Sequence, residues 1–286
     1  PSSSPGASPL RGGRGSSLHV DITNRNGHQL DARAGLGTLL ETHEIYGAGN
    51  VTRLTRFYLE QQFWQGRLDI KAGRMDLNAD FYPLSCDFEN LSFCGSLPGY
   101  ITSGWYSWPV SQLGGVVRIK PASAWYVRVG AFDVNPRNAD PSQGLKPGTP
   151  GRSTGTLVVG EAGWDTALDA GTHVLPGSWR IGAWRNSASA PDLLLDVNGA
   201  PHVLTGVAAL QRGSTQGSYA LVKQQLTRNA GGGGLTVFGN LVCADSDTDR
   251  VDRMVSVGLL FRAPFASRPH DRIGLAWGQN RVSSRM

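Results

Sequence analysis

The chain has 286 residues, a formal net charge of +5 and a sequence pI near 9.3, enough length for one large domain or two small ones. Its 38 Gly, 8 Trp, 7 Tyr and 9 Phe, set in short blocks with Val and Thr, favour an all-β protein. No apolar run reaches about 18 residues, which excludes a transmembrane helix but not a membrane-spanning strand, for which about 10 residues suffice with every second one apolar.

Residues 1–17 are rich in Ser, Pro, Gly and Arg and hold no apolar stretch; they are expected to be a disordered lead-in and not a signal peptide. Residues 18–286 are expected to form one β domain. A first strand is expected over 18–22, followed by the polar turn Thr23-Asn24-Arg25-Asn26-Gly27 and a long loop over 28–50 with one helical turn. Strands over 53–64 and 67–75 are joined by the tight turn Gln65-Gly66. A long, ring-rich loop follows over 76–112. Further strands are expected over 114–120, 124–134, 156–166, 178–186, 203–211, 217–226, 235–244, 253–262 and 271–279. That makes about a dozen strands, with no βαβ rhythm to suggest a parallel sheet.

Alternation within these strands narrows the class. Trp125, Val127, Val129 and Ala131 share one face of their strand, while Tyr126, Arg128, Gly130 and Phe132 share the other. Trp179, Ile181 and Ala183 oppose Arg180, Gly182 and Trp184, and Ile273, Leu275 and Trp277 oppose Arg272, Gly274 and Ala276. One face is apolar and ringed; the other is small or polar and repeatedly carries Arg. Two architectures alternate in this way. In a soluble, secreted β-sandwich that binds glycans the apolar face packs inward. In an antiparallel transmembrane β-barrel it meets lipid, and rings gather near strand ends; Trp64, Trp125, Trp164, Trp179 and Trp277 are expected there.

The block 54–95 adds a resemblance. Glu60-Gln61 with Phe63, Arg67-Leu68, Gly73-Arg74, Asp80-Phe81, Cys86 and Phe93-Cys94-Gly95 follow one another as in the OprB family of carbohydrate porins. Glu44-Ile45-Tyr46-Gly47, the run 130–136 and the run 258–265 also resemble that family, in the same order. The resemblance implies a closed barrel of about 16 strands, an even number as in bacterial barrels generally. It also implies the outer membrane of a Gram-negative bacterium, with outer-membrane lipid around the wall and small sugars as solutes. Against that pattern the chain is expected to be truncated at both ends, and Ala48 stands where the family pattern expects Arg.

Sugars are neutral and hydroxyl-rich, so a selective passage needs donors, acceptors and ring faces, placed by loops folded into the lumen. The resemblance points to Arg25 and Glu44 as constriction residues. Arg74, at the mouth of the long loop, and Trp105 and Trp108, within it, are further candidates for facing a sugar. Cys86 and Cys94 enclose seven residues; outside the cytoplasm they are expected to form a disulfide that staples the long loop. Cys243 is expected on the lipid face as a small apolar residue.

Other chemistries find no support. A glycoside hydrolase would need two carboxylates about 5 to 10 Å apart across a sugar, and nothing marks such a pair. There is no nucleophile motif or metal-ligand His cluster, and 231–234 is a plain turn and not a phosphate loop, since no Lys-Ser/Thr follows. Neither catalysis, cofactor nor metal is expected. The basic residues are scattered singly, so nucleic acid is not expected as a partner.

Overall fold

The computed structural model describes residues 10–11, 15–43, 49–83, 86–149, 151–171, 173–229 and 232–286. In chain order the strands are β1 (Leu10–Arg11), β2 (Ser16–Arg25), β3 (Val51–Phe63), β4 (Leu68–Met75), β5 (Gln112–Ala122), β6 (Trp125–Val134), β7 (Gly155–Asp169) and β8 (Val174–Asn186). There follow β9 (Ala190–Asp196), β10 (Ala209–Arg212), β11 (Thr215–Gln225), β12 (Gly234–Cys243), β13 (Val251–Arg262) and β14 (Arg272–Val282). Three single-turn helices interrupt the connections: α1 (Leu30–Ala34), α2 (Leu97–Ile101) and α3 (His202–Thr205).

All strands except β9 and β10 join one twelve-stranded sheet, in the order β1 to β8 and then β11 to β14. Each strand pairs antiparallel with the next, so the sheet is a meander with β1 and β14 as its edges. The connections on one rim are 64–67, 123–124, 170–173, 226–233 and 263–271; those on the other are 26–50, 76–111, 135–154, 187–214 and the shorter 244–250. Short periplasmic turns and long extracellular loops are the usual asymmetry of outer-membrane barrels.

Strand β6 decides between the two architectures. Trp125 and Val127 are 49% and 51% exposed, while Tyr126 and Arg128 between them are 4% and 7% exposed. The apolar face therefore points outward, and among the described residues no second sheet covers it, which rules out the β-sandwich. The same outward belt continues through Phe57, Leu59, Val117, Ile119, Ile181, Leu259, Ile273 and Leu275. Trp125 and Trp164 are cross-strand partners on it, with ring centroids 5.2 Å apart and planes within 2°. Cys243 ends β12 on the side of Leu241, the outward one.

The inward face is built from rings lying on glycines. Tyr126 faces Gly163, Tyr219 faces Gly182, Trp184 faces Gly217 and Phe238 faces Gly258 directly across neighbouring strands. A Cβ at Gly163 or Gly182 would lie 2.2 Å from the facing tyrosine ring, and one at Gly217 would lie 2.1 Å from Trp184. Glycine is thus required there for space, which accounts for much of the Gly and aromatic content. Larger side chains would force rings off their rotamers, at about 1–3 kcal/mol each.

Of the expected strand over 203–211 only 209–211 forms, as part of β10; α3 takes the first half. Val203, Thr205 and Val207 alternate as a strand would, but Pro201 leads into α3 and Gly206, at φ 68°, ends it in a left-handed cap. The Asp196 carboxylate holds this turn, accepting from the Asn198 and Ala200 amides and the Thr205 hydroxyl at 2.8–3.0 Å. β9, not expected from the sequence, pairs with β10 as a hairpin outside the main sheet.

Candidate functional site

The loop 76–111 does not extend into solvent; it folds against the inward face and the sheet curls around it. Its attachment is spread over the wall. Lys71 of β4 holds Asp80 at 2.8 Å, and Arg128 of β6 donates to the Asp80 carbonyl while lying 3.5 Å from its carboxylate. On the far side Trp105 meets Trp184 edge-on at 5.6 Å, Tyr82 meets Tyr219 at 5.1 Å and Phe88 meets Phe238 at 6.0 Å. Asn280 of β14 reaches Ser92 at 3.2 Å.

Glu161 of β7 is the hub. It is buried and accepts from the Tyr126 hydroxyl at 2.7 Å, the Tyr219 hydroxyl at 2.6 Å and the Tyr82 amide at 3.3 Å. Arg128 Nε stands 3.4 Å from the same carboxylate, with its guanidinium 4.4 Å from the Tyr126 ring centroid. A buried carboxylate is tolerable only with partners of this kind. Sequence reasoning passed over Glu161; the available signal was an acid among the small and apolar residues of 157–163, with partners far away in sequence.

Cys86 and Cys94 are joined by a disulfide, with Cα atoms 4.3 Å apart. Beside the staple, the loops 26–50 and 76–111 meet. His43 lies 2.6 Å from the Glu89 carboxylate, and the Leu91 amide donates to the Glu41 carbonyl at 3.2 Å. Asp31 closes its loop by accepting from the Thr42 amide and hydroxyl, both at 2.9 Å; the amide bond is the main reason its carboxyl titrates below the usual range.

Where the loops meet they leave a cleft of about 310 Å³ lined by Leu39, Leu40 and Glu41 from the first and Tyr100, Tyr106 and Trp108 from the second. Glu41 accepts from Gln29 at 2.5 Å. Tyr106 donates to the Asn135 carbonyl at 2.8 Å, and burial pushes its phenol up to about 12, so it stays a neutral donor. Arg25, at the end of β2, lays its guanidinium over Trp108, 4.8 Å from the ring centroid. The cleft thus combines ring faces, a cation and a carboxylate.

The sequence candidates fall in different places. Arg25 and Trp108 are brought together at the cleft, both half-buried. Glu44 and Ala48 lie outside the described residues. Arg74 is buried and donates to the Gly148 carbonyl at 3.2 Å, so it ties the 135–154 loop to the wall. Trp105 borders the cleft but is almost wholly buried: its Nε1 donates to Ser96 at 2.8 Å and its ring is wedged against Trp184 and Tyr219. Its main contacts are with the wall, where it props the loop. Among the described residues no group of three or more His, Cys, Asp or Glu is placed to hold a metal ion.

Comparison with known proteins follows this geometry. The family described as "Carbohydrate-selective porin, OprB family" matches residues 8–286. "Porin B" of Pseudomonas aeruginosa is 38% identical over 275 residues, covering 93% of this chain and 60% of that protein. "Putative porin QuiX" of Acinetobacter baylyi is 31% identical over 291 residues, covering 98% of this chain and 63% of the relative. A solved structure, "High pH structure of Pseudomonas putida OprB", superposes with a TM-score of 0.89 at 35% identity, covering 94% of this chain and 65% of that one. The chain spans about 60% of the length of the curated relatives it matches. These names describe channels and not enzymes. The chain belongs to the OprB family of carbohydrate-selective porins, proteins of the Gram-negative outer membrane.

Proposed function

We propose that the chain forms the wall and the narrowing of a porin that passes small sugars by passive diffusion, with monosaccharides such as glucose preferred. The observation that carries this reading is the aromatic cleft between the loops 26–50 and 76–111, where Tyr100, Tyr106 and Trp108 offer ring faces beside Arg25 and Glu41. Rings bind the C–H faces of a sugar, while the guanidinium and the carboxylate supply donors and acceptors to its hydroxyls. Arg25 is the family-like charge at this narrowing. The loop is rigid because the wall, the Cys86–Cys94 bond and Glu161 hold it, so little affinity is lost to ordering it.

Liposome swelling with glucose, maltose and an amino acid of similar size tests the reading. Glucose is expected to enter fastest, and Trp108→Ala to narrow its lead over the amino acid. Equal rates for all three solutes in the parent protein would refute sugar selectivity.

A further inference from the structure

A second cavity, sharing no lining residue with the aromatic cleft, opens between residues 83–93 of the stapled loop and strands β8, β11, β12 and β13. Its volume is about 250 Å³. Small-molecule sites begin at about 300 Å³, so this one suits a single ring and not two.

Charge sets this cavity apart. Arg180 and Lys223 line it, and Arg262 and Arg272 stand close enough to act on the Lys223 ammonium. Arg262 and Arg272 are direct cross-strand partners, and Asp87 of the loop answers both, at 3.3 and 2.7 Å. Lys223 feels Asp87 only from beyond ion-pair distance, and against the combined charge of Arg262, Arg180 and Arg272. Arg180 faces Leu221 across the β8–β11 pair and Lys223 follows two residues on, so both cations sit diagonally on the inward face. Both are half-buried, and among the described residues neither makes an ion pair. Arg180 Nε is buried with no hydrogen-bond partner at all. Asp165 and Glu161 of β7, opposite Ser178 and Gly182, make no ion pair with either cation; Glu161 is taken by Arg128. Half-buried cations without counter-charges are costly, and a planar guanidinium offers paired donors that match carboxylate or phosphate oxygens. The remaining lining suits a sugar: the Phe88 and Phe238 rings, with the polar Thr236 and Asn240 two residues to either side of Phe238 on β12.

We propose that this cavity binds acidic monosaccharides, with Arg180 and Lys223 holding the carboxylate or phosphate and the phenylalanine rings holding the sugar face. The inference rests on the porin reading and adds a second, charge-selective station to the neutral one. The passage then favours a sugar acid or sugar phosphate over the parent sugar.

The test is sugar block of single-channel current through the reconstituted chain, with glucuronate, glucose 6-phosphate, glucose and acetate as probes. Glucuronate, glucose 6-phosphate or both are expected to block at about tenfold lower concentration than glucose, as one charge-assisted contact gives. Which of the two blocks more strongly identifies carboxylate or phosphate as the preferred head. Replacing both cations (Arg180→Gln with Lys223→Gln) should abolish that advantage and leave block by glucose unchanged. Should the double variant fail to insert, the parent protein still decides: raising KCl should weaken block by the acidic sugars and spare block by glucose. Acidic sugars no better than glucose, acetate as effective as glucuronate, or block indifferent to salt would each overturn the proposal. A chain that passes no sugar at all would instead overturn the porin reading beneath it.

Discussion

Two long segments leave the same rim of the sheet and end in different places. Residues 76–111 turn inward and bury Phe81, Tyr82 and Trp105 against the wall. Residues 187–214 form the β9–β10 hairpin with α3 and leave Val203 and Leu204 79% and 83% exposed. The inward loop is held along much of its length by rings fitted to rings and by a buried carboxylate. The hairpin is held at its base by ion pairs to partly exposed arginines: the buried Asp192 with Arg212 at 2.6 Å and Arg285 at 2.8 Å, and the partly exposed Asp247 with Arg212 at 3.1 Å. Shape-matched buried contacts fix one geometry, whereas exposed ion pairs contribute little stability, about 0–1 kcal/mol. A loop that defines a passage needs the first kind of attachment.

The largest expected effect therefore sits at Glu161. Glu161→Ala leaves the Tyr126 and Tyr219 hydroxyls and the Tyr82 amide without their acceptor and Arg128 short of a counter-charge. Breaking such a buried network costs about 3 kcal/mol or more. The urea midpoint of the reconstituted protein should fall, and protease should begin to cut within 76–111. A midpoint within error of the parent would mean that the rings alone hold the loop.

A smaller and local effect is expected at the hairpin. Asp192→Asn weakens the pairs to Arg212 and Arg285, but the Arg212 side chain is a third exposed, so solvent already screens that pair. Protease should cut faster between 197 and 207, while urea midpoint and sugar swelling stay as in the parent. A fall in midpoint to match Glu161→Ala would erase the distinction between the two segments.

The smallest effect concerns pH. Asp249 lies in the rim connection 244–250, where burial, and after it the charge of Asp245, push its carboxyl up to about 7 against the Asp245 amide it accepts from. A folded pKa above the unfolded value means stabilisation that is complete below about pH 4 and lost as the pH rises through about 7. Hydrogen exchange of 244–250 should quicken across that upper window in the parent and not in Asp249→Asn. The same step in the variant would assign it to another group.

Much of the wall was legible because strand alternation is a property of neighbours in sequence. Trp125 to Phe132 display both faces of β6 in eight consecutive residues, and the structure exposes one set and buries the other. The hairpin was not legible for the same reason in reverse: Val203, Thr205 and Val207 alternate, and only Pro201 and Gly206 argue for the turn of helix that forms. At the site, Arg25 and Trp108 were found as separate candidates, but their stacking joins positions far apart in the chain. Composition marked the 76–111 loop as ring-rich without telling which rings prop it and which face solute. Trp105 proved to be the first kind, and the Glu161 hub stayed hidden because its partners come from three other segments.

The central claim is that the stapled loop stands in the passage and narrows it. The most direct measurement is single-channel conductance of the parent and of the double variant Cys86→Ser with Cys94→Ser, in KCl with and without glucose or maltose. Loss of the bond frees the 83–94 segment to move off the wall, so conductance should rise and the discrimination between glucose and maltose should weaken. A variant that conducts and selects as the parent does would contradict the claim and leave the narrowing to Arg25 and the 26–50 loop.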